Sequence, residues 1–131
     1  MRLLLDTHIC IWSYLAPHKI SSDVTRELTN PGNDRFLSAV SVWEAIVLLE
    51  KKRIQFKRDF GEWFLESKEE LSMNEVPVSW KVAHELRFTI LGHSDPADRF
   101  LVATAKVYDL TLVTADERLM HIPGVKVLAN R

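Results

Sequence analysis

The sequence predicts one α/β domain in which a mostly parallel central sheet is covered by helices on both faces. Short continuous apolar runs recur along the chain, which is typical of parallel strands buried on both faces. Longer helical stretches separate these runs. Strands therefore alternate with helices, and this alternation favours a parallel sheet. At 131 residues the chain has the length of one domain, and we expect a single domain over residues 1–131.

The elements follow one another in a regular order. The first strand is the apolar run at residues 3–5, and similar runs predict strands at 36–40 and 110–114, with a weaker candidate at 125–129. The helical stretches between the strands lie at residues 21–28, 42–52, 58–71, 79–91 and 96–108. Residues 30–34, 91–96 and 122–125 contain the Gly, Pro, Asn and Asp residues that mark turns and loops.

Composition excludes several classes of protein. The chain carries 17 basic and 18 acidic residues, so its net charge of -1 creates no global attraction to nucleic acid or anionic membranes. Any nucleic-acid contact must therefore be local. A single cysteine, Cys10, lies between two isoleucines, which favours a buried reduced thiol over a disulfide or zinc framework. Asp6 interrupts the apolar N-terminus, and no segment approaches the ~20 apolar residues of a membrane span, so we expect a cytoplasmic protein.

Two aspartates directly follow apolar strands. Asp6 ends the first strand, and Asp116 comes two residues after the run at 110–114. In a parallel sheet the carboxyl ends of the strands meet at one edge, which is where ligands bind. Each aspartate also has a structural alternative, because either could cap the helical turn that follows it.

Glu44 lies on the apolar face of its predicted helix. Helical periodicity places Val40, Val47 and Leu48 on the same face as this glutamate. An unpaired buried carboxylate costs several kcal/mol, so a solvated role does not explain the position. A buried ion pair and a position at the rim of the helix remain the structural alternatives.

Asp95 and Asp98 begin the helix at residues 96–108. Asp95 followed by Pro96 is the pattern of a helix N-cap with proline at the first helical position. Asp98 could favour the helix dipole or close a capping box. However, its neighbours at i+3 and i+4 are Leu101 and Val102, so its side chain shares the inward face of the helix.

Four converging carboxylates would destabilise the fold by themselves. Two of them about 4 Å apart repel by roughly 4 kcal/mol at an effective dielectric constant near 20. A divalent cation reverses the sign of that interaction. Oxygen ligands without Cys or a paired His motif suit Mg²⁺ or Mn²⁺ better than zinc. Such a site activates an attacking water and stabilises charge on a scissile phosphate.

In this order, these motifs resemble the PIN-domain ribonucleases, and in particular the VapC-type toxins of bacterial toxin–antitoxin pairs. The likeness spans nearly the whole chain and rests on four segments: "LLLDTH", "FLSAVSVWEA", "HSDPADRFLVATA" and "LTLVTADERL". The resemblance implies an acidic metal site whose members are both catalytic and metal-binding, with the first and third acids as direct ligands: Asp6, Glu44, Asp98 and Asp116. Thr7, Thr114 and Asp95 would support that site.

The resemblance also carries expectations about activity and partners. It implies a three-layer α/β/α fold and endonucleolytic cleavage of RNA that depends on Mg²⁺ or Mn²⁺. It further implies inhibition of translation, an antitoxin protein that covers the site, and a homodimer. An antitoxin would need an apolar groove, which Trp12 with Tyr14, or Trp63 with Phe64, could line.

Basic residues could guide RNA to a site that otherwise repels phosphate. Lys51, Lys52 and Arg53 lie near the end of the Glu44 helix, where cations also suit the helix dipole. Arg99 could contact substrate, although an ion pair with a neighbouring acid is the alternative. The histidines, including His93, show no metal-ligand spacing.

Two other functions fit the acidic pattern. A phosphoacceptor signalling domain also places acids at strand ends around Mg²⁺, but it needs adjacent acids after the first strand, and here Thr7 follows Asp6. A PIN-like module that binds RNA or protein without cutting is the second alternative. The presence of all four acids removes the simplest reason for inactivity.

Overall fold

A computed structural model describes all residues, 1–131, and its centre is a five-stranded sheet in which every neighbouring pair is parallel. The strand order is β3-β2-β1-β4-β5. The strands are β1 (Arg2–Leu5), β2 (Asp34–Ser38), β3 (Met73–Val76), β4 (Thr111–Thr114) and β5 (Lys126–Ala129). The predicted α/β class is confirmed, and the sheet is wholly rather than mostly parallel.

Six α-helices cover the two faces of this sheet. They are α1 (Thr7–Leu15), α2 (Ser22–Thr29), α3 (Ala39–Glu50), α4 (Phe60–Glu70), α5 (Trp80–Glu85) and α6 (Pro96–Tyr108). None of them combines the length and apolarity that a membrane crossing requires. The predicted helix at 79–91 is wrong at its end, because α5 tightens into a 3-10 turn at Leu86–Phe88 and stops there.

Two elements of the structure, β3 and α1, were not among the strands and helices that the sequence predicted. β3 is a short edge strand whose two central residues, Asn74 and Glu75, are exposed, so it has no continuous apolar run to reveal it. α1 is the helix that the capping alternative for Asp6 requires. Its buried residues cluster at its start, and this clustering obscures the helical period.

β1 divides the core between the two faces of the sheet. Leu3 and Leu5 belong to the apolar cluster under α1, α2, α3 and α4, whereas Leu4 belongs to the cluster under α6. All three leucines are fully buried. This double burial explains why the strand reads as a continuous apolar run.

The sheet also determines where the site can form. β1 lies at its centre, between β2 and β4, and α1, α3 and the turn after β4 begin at the carboxyl edge of these strands. The Asp6 amide donates to the Val113 carbonyl at 3.0 Å, which joins the ends of β1 and β4. Side chains that follow these strands therefore meet at one edge.

Candidate metal centre

Asp6 is a buried carboxylate at the end of β1. Its residue is only 6% exposed, and the Thr114 hydroxyl donates to its Oδ2 at 2.6 Å. Burial raises the pKa of Asp6, and the hydrogen bond from Thr114 opposes that rise. Asp6 occupies the N-cap position of α1, but its side chain accepts no capping hydrogen bond. The capping alternative is therefore wrong for the carboxylate, which faces the site instead.

Asp98 lies in the first turn of α6 and is 5% exposed. Burial is the largest cause that raises its pKa to about 6, and repulsion from Asp95, Asp6 and Asp116 adds to the rise. Asp95 caps α6, because its Oδ1 accepts from the Asp98 amide at 3.3 Å. The capping interpretation of Asp95 is thus confirmed, and the same contact helps to place Asp98.

His93 touches the Asp98 carboxylate, with its Nε2 2.8 Å from Oδ2. The sequence shows no metal-ligand spacing among the histidines, and His93 reaches the cluster because the loop before α6 brings it there. One atom each of His93, Asp98 and Asp116 lies within 4.8 Å of the others. A spacing rule could not find this residue, since the loop folds back onto its own helix. The expected donor set of oxygen atoms alone is therefore incomplete, because the ring nitrogen of His93 lies beside the carboxylates.

Asp116 lies at the more exposed side of the cluster. It caps the 3-10 turn Glu117–Leu119, where its Oδ1 accepts from the Arg118 amide at 2.9 Å, so the structural alternative is also confirmed. The Arg118 guanidinium binds both carboxylate oxygens and lowers the pKa of Asp116. Sequence reasoning missed Arg118, although its position two residues after a capping aspartate was a usable signal.

Glu44 reaches the cluster from α3 and is half-buried. Burial is the largest cause that raises its pKa, and repulsion from Asp6 and Asp95 contributes to the rise. No salt bridge involves Glu44, and the buried ion-pair alternative is therefore wrong. Thr7 opposes this rise in the pKa of Glu44 more than any other group, and its buried hydroxyl has no hydrogen-bond partner of normal geometry.

The basic residues named from the sequence lie outside this cluster. Lys51, Lys52 and Arg53 are exposed just beyond the far end of α3, on the order of 10 Å along the helix from Glu44. Arg99 donates to the carbonyls of Thr89 at 3.0 Å and Leu86 at 2.6 Å. The predicted ion pair of Arg99 is therefore wrong, and RNA contact by these four residues stays a prediction.

The donor set fits a divalent cation. Asp6, Glu44 and Asp98 all have raised pKa values, because burial and mutual repulsion disfavour their ionised forms, and a cation would reverse both effects. The unpartnered hydroxyl of Thr7 offers one more oxygen beside these groups. The protein therefore carries, at the carboxyl edge of its sheet, an acidic cluster whose donor atoms suit a metal ion.

A parallel α/β sheet with acids at its carboxyl edge defines a class of domain that can bind a divalent cation at that edge. The chain belongs to the PIN domain family, whose model matches residues 3–125. Over 118 residues it is 30% identical to ribonuclease VapC22 of Mycobacterium tuberculosis, covering 89% of this chain and 88% of that protein. The predicted family resemblance is thus confirmed.

Solved structures share the fold over nearly the whole chain. VapBC2 from Rickettsia felis, bound to a DNA fragment from its promoter, matches with a TM-score of 0.71 at 17% identity, covering 98% of each chain. DNA-bound VapBC from Salmonella typhimurium gives 0.67 at 20% identity with the same coverage. A toxin–antitoxin complex from Klebsiella pneumoniae gives 0.64 at 21% identity, again covering 98% of each chain. These matches confirm the three-layer α/β/α arrangement.

Proposed function

We propose that this protein is a metal-dependent endoribonuclease that acts as the toxin of a toxin–antitoxin pair and inhibits translation by cutting RNA. The proposal is supported by the placement of acids from four separate segments at one sheet edge, where Asp6 and Asp116 follow neighbouring strands and Asp98 lies beside Asp116. Glu44, on the helix after β2, is the fourth acid. Membership of the PIN domain family and the ribonuclease among its relatives support the same activity. Family membership decides against the phosphoacceptor alternative.

In this proposal each of the four acids has a defined role in metal binding. Asp6 and Asp98, the two most buried acids, bind the cation directly, while Glu44 and Asp116 complete the cluster. A bound divalent cation supplies an activated water and offsets the charge on the scissile phosphate. Thr114 fixes the orientation of Asp6 through its hydrogen bond.

Supporting residues arrange the acids. Asp95 holds the first turn of α6 and therefore the position of Asp98, while Thr7 supplies a free hydroxyl near Glu44. We infer Mg²⁺ or Mn²⁺ as the cofactor, because carboxylate oxygens dominate the donor set. The nearby His93 nitrogen suits Mn²⁺ better than Mg²⁺. The single buried thiol, Cys10, is compatible with the cytoplasm as the place of action.

An antitoxin partner is part of the proposal, because the solved relatives are toxin–antitoxin complexes. The expectation that Trp63 lines an open groove is wrong, since this residue is 2% exposed. Its neighbour Phe64 does line an apolar groove of about 430 Å³, together with Trp43 and Ile46. Ile46→Glu should abolish co-purification with the cognate antitoxin while RNA cleavage persists, and retained co-purification would exclude this groove.

A homodimer is also proposed. Trp80 is 95% exposed and lies beside the exposed Val78. From Val78 the apolar surface continues to Pro96 and Phe100, in the first turns of α6. Such a continuous exposed apolar surface is typical of an interface. Analytical ultracentrifugation should show a dimer that Trp80→Glu converts to a monomer. A parent protein that sediments as a monomer at micromolar concentration would exclude the dimer.

The activity is tested by incubating the purified protein with total RNA. Discrete products should appear with Mn²⁺ or Mg²⁺ and disappear with a chelator, because the carboxylates require a cation to act on a phosphodiester. Total RNA is the appropriate probe because it presents many candidate target RNAs at once. Absence of products from a folded protein that binds the metal would favour the binding module that does not cut.

A further inference from the structure

Arg118 already occupies part of the acidic cluster. Its Nε lies 3.0 Å from Oδ1 of Asp116, and its terminal nitrogen lies 2.8 Å from Oδ2 of the same carboxylate. The same terminal nitrogen is 3.8 Å from Oδ2 of Asp98. One guanidinium therefore spans the two carboxylates that also converge with His93.

Asp116 and Asp98 differ in how strongly Arg118 stabilises their ionised forms. Its charge stabilises ionised Asp116, whose pKa is lowered, whereas Asp98 has a raised pKa, with burial as the main cause. Arginine presents a planar fork that matches carboxylate and phosphate oxygens equally well. A guanidinium and a divalent cation would thus both bind the carboxylate oxygens of Asp116 and Asp98.

The local structure allows the guanidinium to leave. The Arg118 side chain is 57% exposed, and its salt bridges are confined to Asp116 and Asp98. The 3-10 turn does not depend on the guanidinium, because the cap of this turn is the separate hydrogen bond from the Arg118 amide to Asp116 Oδ1. Moving the side chain would break an exposed ion pair and leave the turn capped.

We infer that Arg118 is an exchangeable internal cation, which competes with the divalent metal for Asp116 and Asp98 and, once displaced, binds a phosphate of the RNA. The inference rests on the proposed function for its RNA step alone. The arginine keeps the exposed side of the cluster neutralised before loading. After loading, its positive charge remains beside the site, where the substrate backbone must lie.

Mn²⁺ binding to the chelator-treated protein, measured by isothermal titration calorimetry, tests the competition. Arg118→Gln should lower the dissociation constant for Mn²⁺ roughly three- to tenfold, since the competing cation is removed. Arg118→Lys should lie between the parent and Arg118→Gln, because lysine keeps the charge and loses the fork. Arg131→Gln is the matched control, since it removes an equal charge that pairs with the neighbouring Glu117 at 3.1 Å.

RNA kinetics at saturating Mn²⁺ test the second step. Arg118→Gln should raise KM several-fold with a much smaller change in kcat, and Arg118→Lys should recover part of the loss. A purely structural clamp predicts a different pattern, with lower thermal stability and Mn²⁺ affinity that is unchanged or weaker. That pattern, or an equal gain in Mn²⁺ affinity for Arg131→Gln, would overturn the inference. A parent protein that binds Mn²⁺ but never cuts RNA would refute the proposed function and leave the competition result valid.

Discussion

The two sides of the acidic cluster differ in how their charge is compensated. On the buried side, Asp6 and Asp98 are nearly inaccessible and have raised pKa values, because burial disfavours their ionised forms. On the exposed side, Asp116 has a lowered pKa because Arg118 binds it with two hydrogen-bonding nitrogens. The exposed side thus has a hydrogen-bonded cation, whereas on the buried side the same guanidinium approaches only Asp98, at 3.8 Å. The buried carboxylates therefore destabilise the fold unless an external cation or a proton is bound.

The largest effect should come from the buried side. Asp98→Asn removes one of the two proposed direct ligands, so the rate of metal-dependent RNA cleavage should fall by more than the roughly 10–100-fold typical for loss of an outer-shell partner. Asp109→Asn is the matched control at the other end of α6, where the aspartate is exposed and asparagine tolerates the left-handed backbone. Equal cleavage by Asp98→Asn and the parent would show that the buried side is not the site.

His93 should have the next largest effect, because it touches the buried Asp98 rather than the exposed side. His93→Ala should weaken Mn²⁺ binding and cleavage by roughly 10–100-fold, as expected for loss of a group that orients a ligand. His93→Gln should restore part of both, since its amide can also donate to the carboxylate. His84→Ala, at an exposed histidine outside the cluster, serves as the control. Unchanged Mn²⁺ affinity in His93→Ala would exclude this role.

In protein from which a chelator has removed metal, the pH dependence of the free energy of unfolding should distinguish the buried side of the cluster from its exposed side. The folded-state pKa of Asp98 is about 6, above its ordinary value of 3.8, so the folded state binds more protons between these values. Lowering the pH from about 7 to 5 therefore adds about 1 kcal/mol to the free energy of unfolding through this group. Asp116 contributes nothing in this window, because its lowered pKa stabilises the fold above 3.8 and that contribution is lost only at lower pH.

The readout is the difference in urea unfolding free energy between Asp98→Asn and the parent. The variant should be the more stable protein at pH 7.5, and its advantage should shrink by about 1 kcal/mol at pH 5. Asp109→Asn should show no such pH-dependent difference. An advantage for Asp98→Asn that is constant across this range would contradict the assigned ionisation.

The smallest effect should come from the basic residues beyond α3. Neutralising Lys51 and Arg53 to Gln should raise KM for RNA only a few-fold, since surface charges about 10 Å away act mainly by screened attraction. Lys52 is left unchanged because its backbone is left-handed, with φ 58°. The effect should vanish at high salt. A large loss of kcat would instead place these residues in the catalytic site.

The fold was largely predictable because its strands are unambiguous. Leu3, Leu4 and Leu5 are buried on both faces, and this burial leaves a continuous apolar run in the sequence. β3 escaped prediction because its exposed middle, Asn74 and Glu75, carries the signature of a loop rather than of a strand. Edge strands need less apolar sequence, so sequence patterns detect them less well.

The acids of the site and two of their partners, Thr114 and Asp95, were also predictable, whereas His93 and Arg118 were not. Asp6, Glu44, Asp98 and Asp116 are conspicuous because charges at strand ends or on apolar helix faces need an explanation. His93 and Arg118 lie in loops or turns, where polar residues are ordinary, and only three-dimensional proximity shows their contacts with the carboxylates. Sequence reasoning therefore found the carboxylates and the supporting residues within their motifs, and it missed the histidine and the arginine that contact the carboxylates from a loop and a turn.

The central claim is that the buried carboxylates bind a divalent cation, and calorimetric titration of Mn²⁺ into the chelator-treated parent protein and Asp98→Asn tests it most directly. The account predicts saturable binding to the parent, and binding at least tenfold weaker to the folded variant. Equal Mn²⁺ affinity in both proteins, or no binding to the parent, would contradict the account.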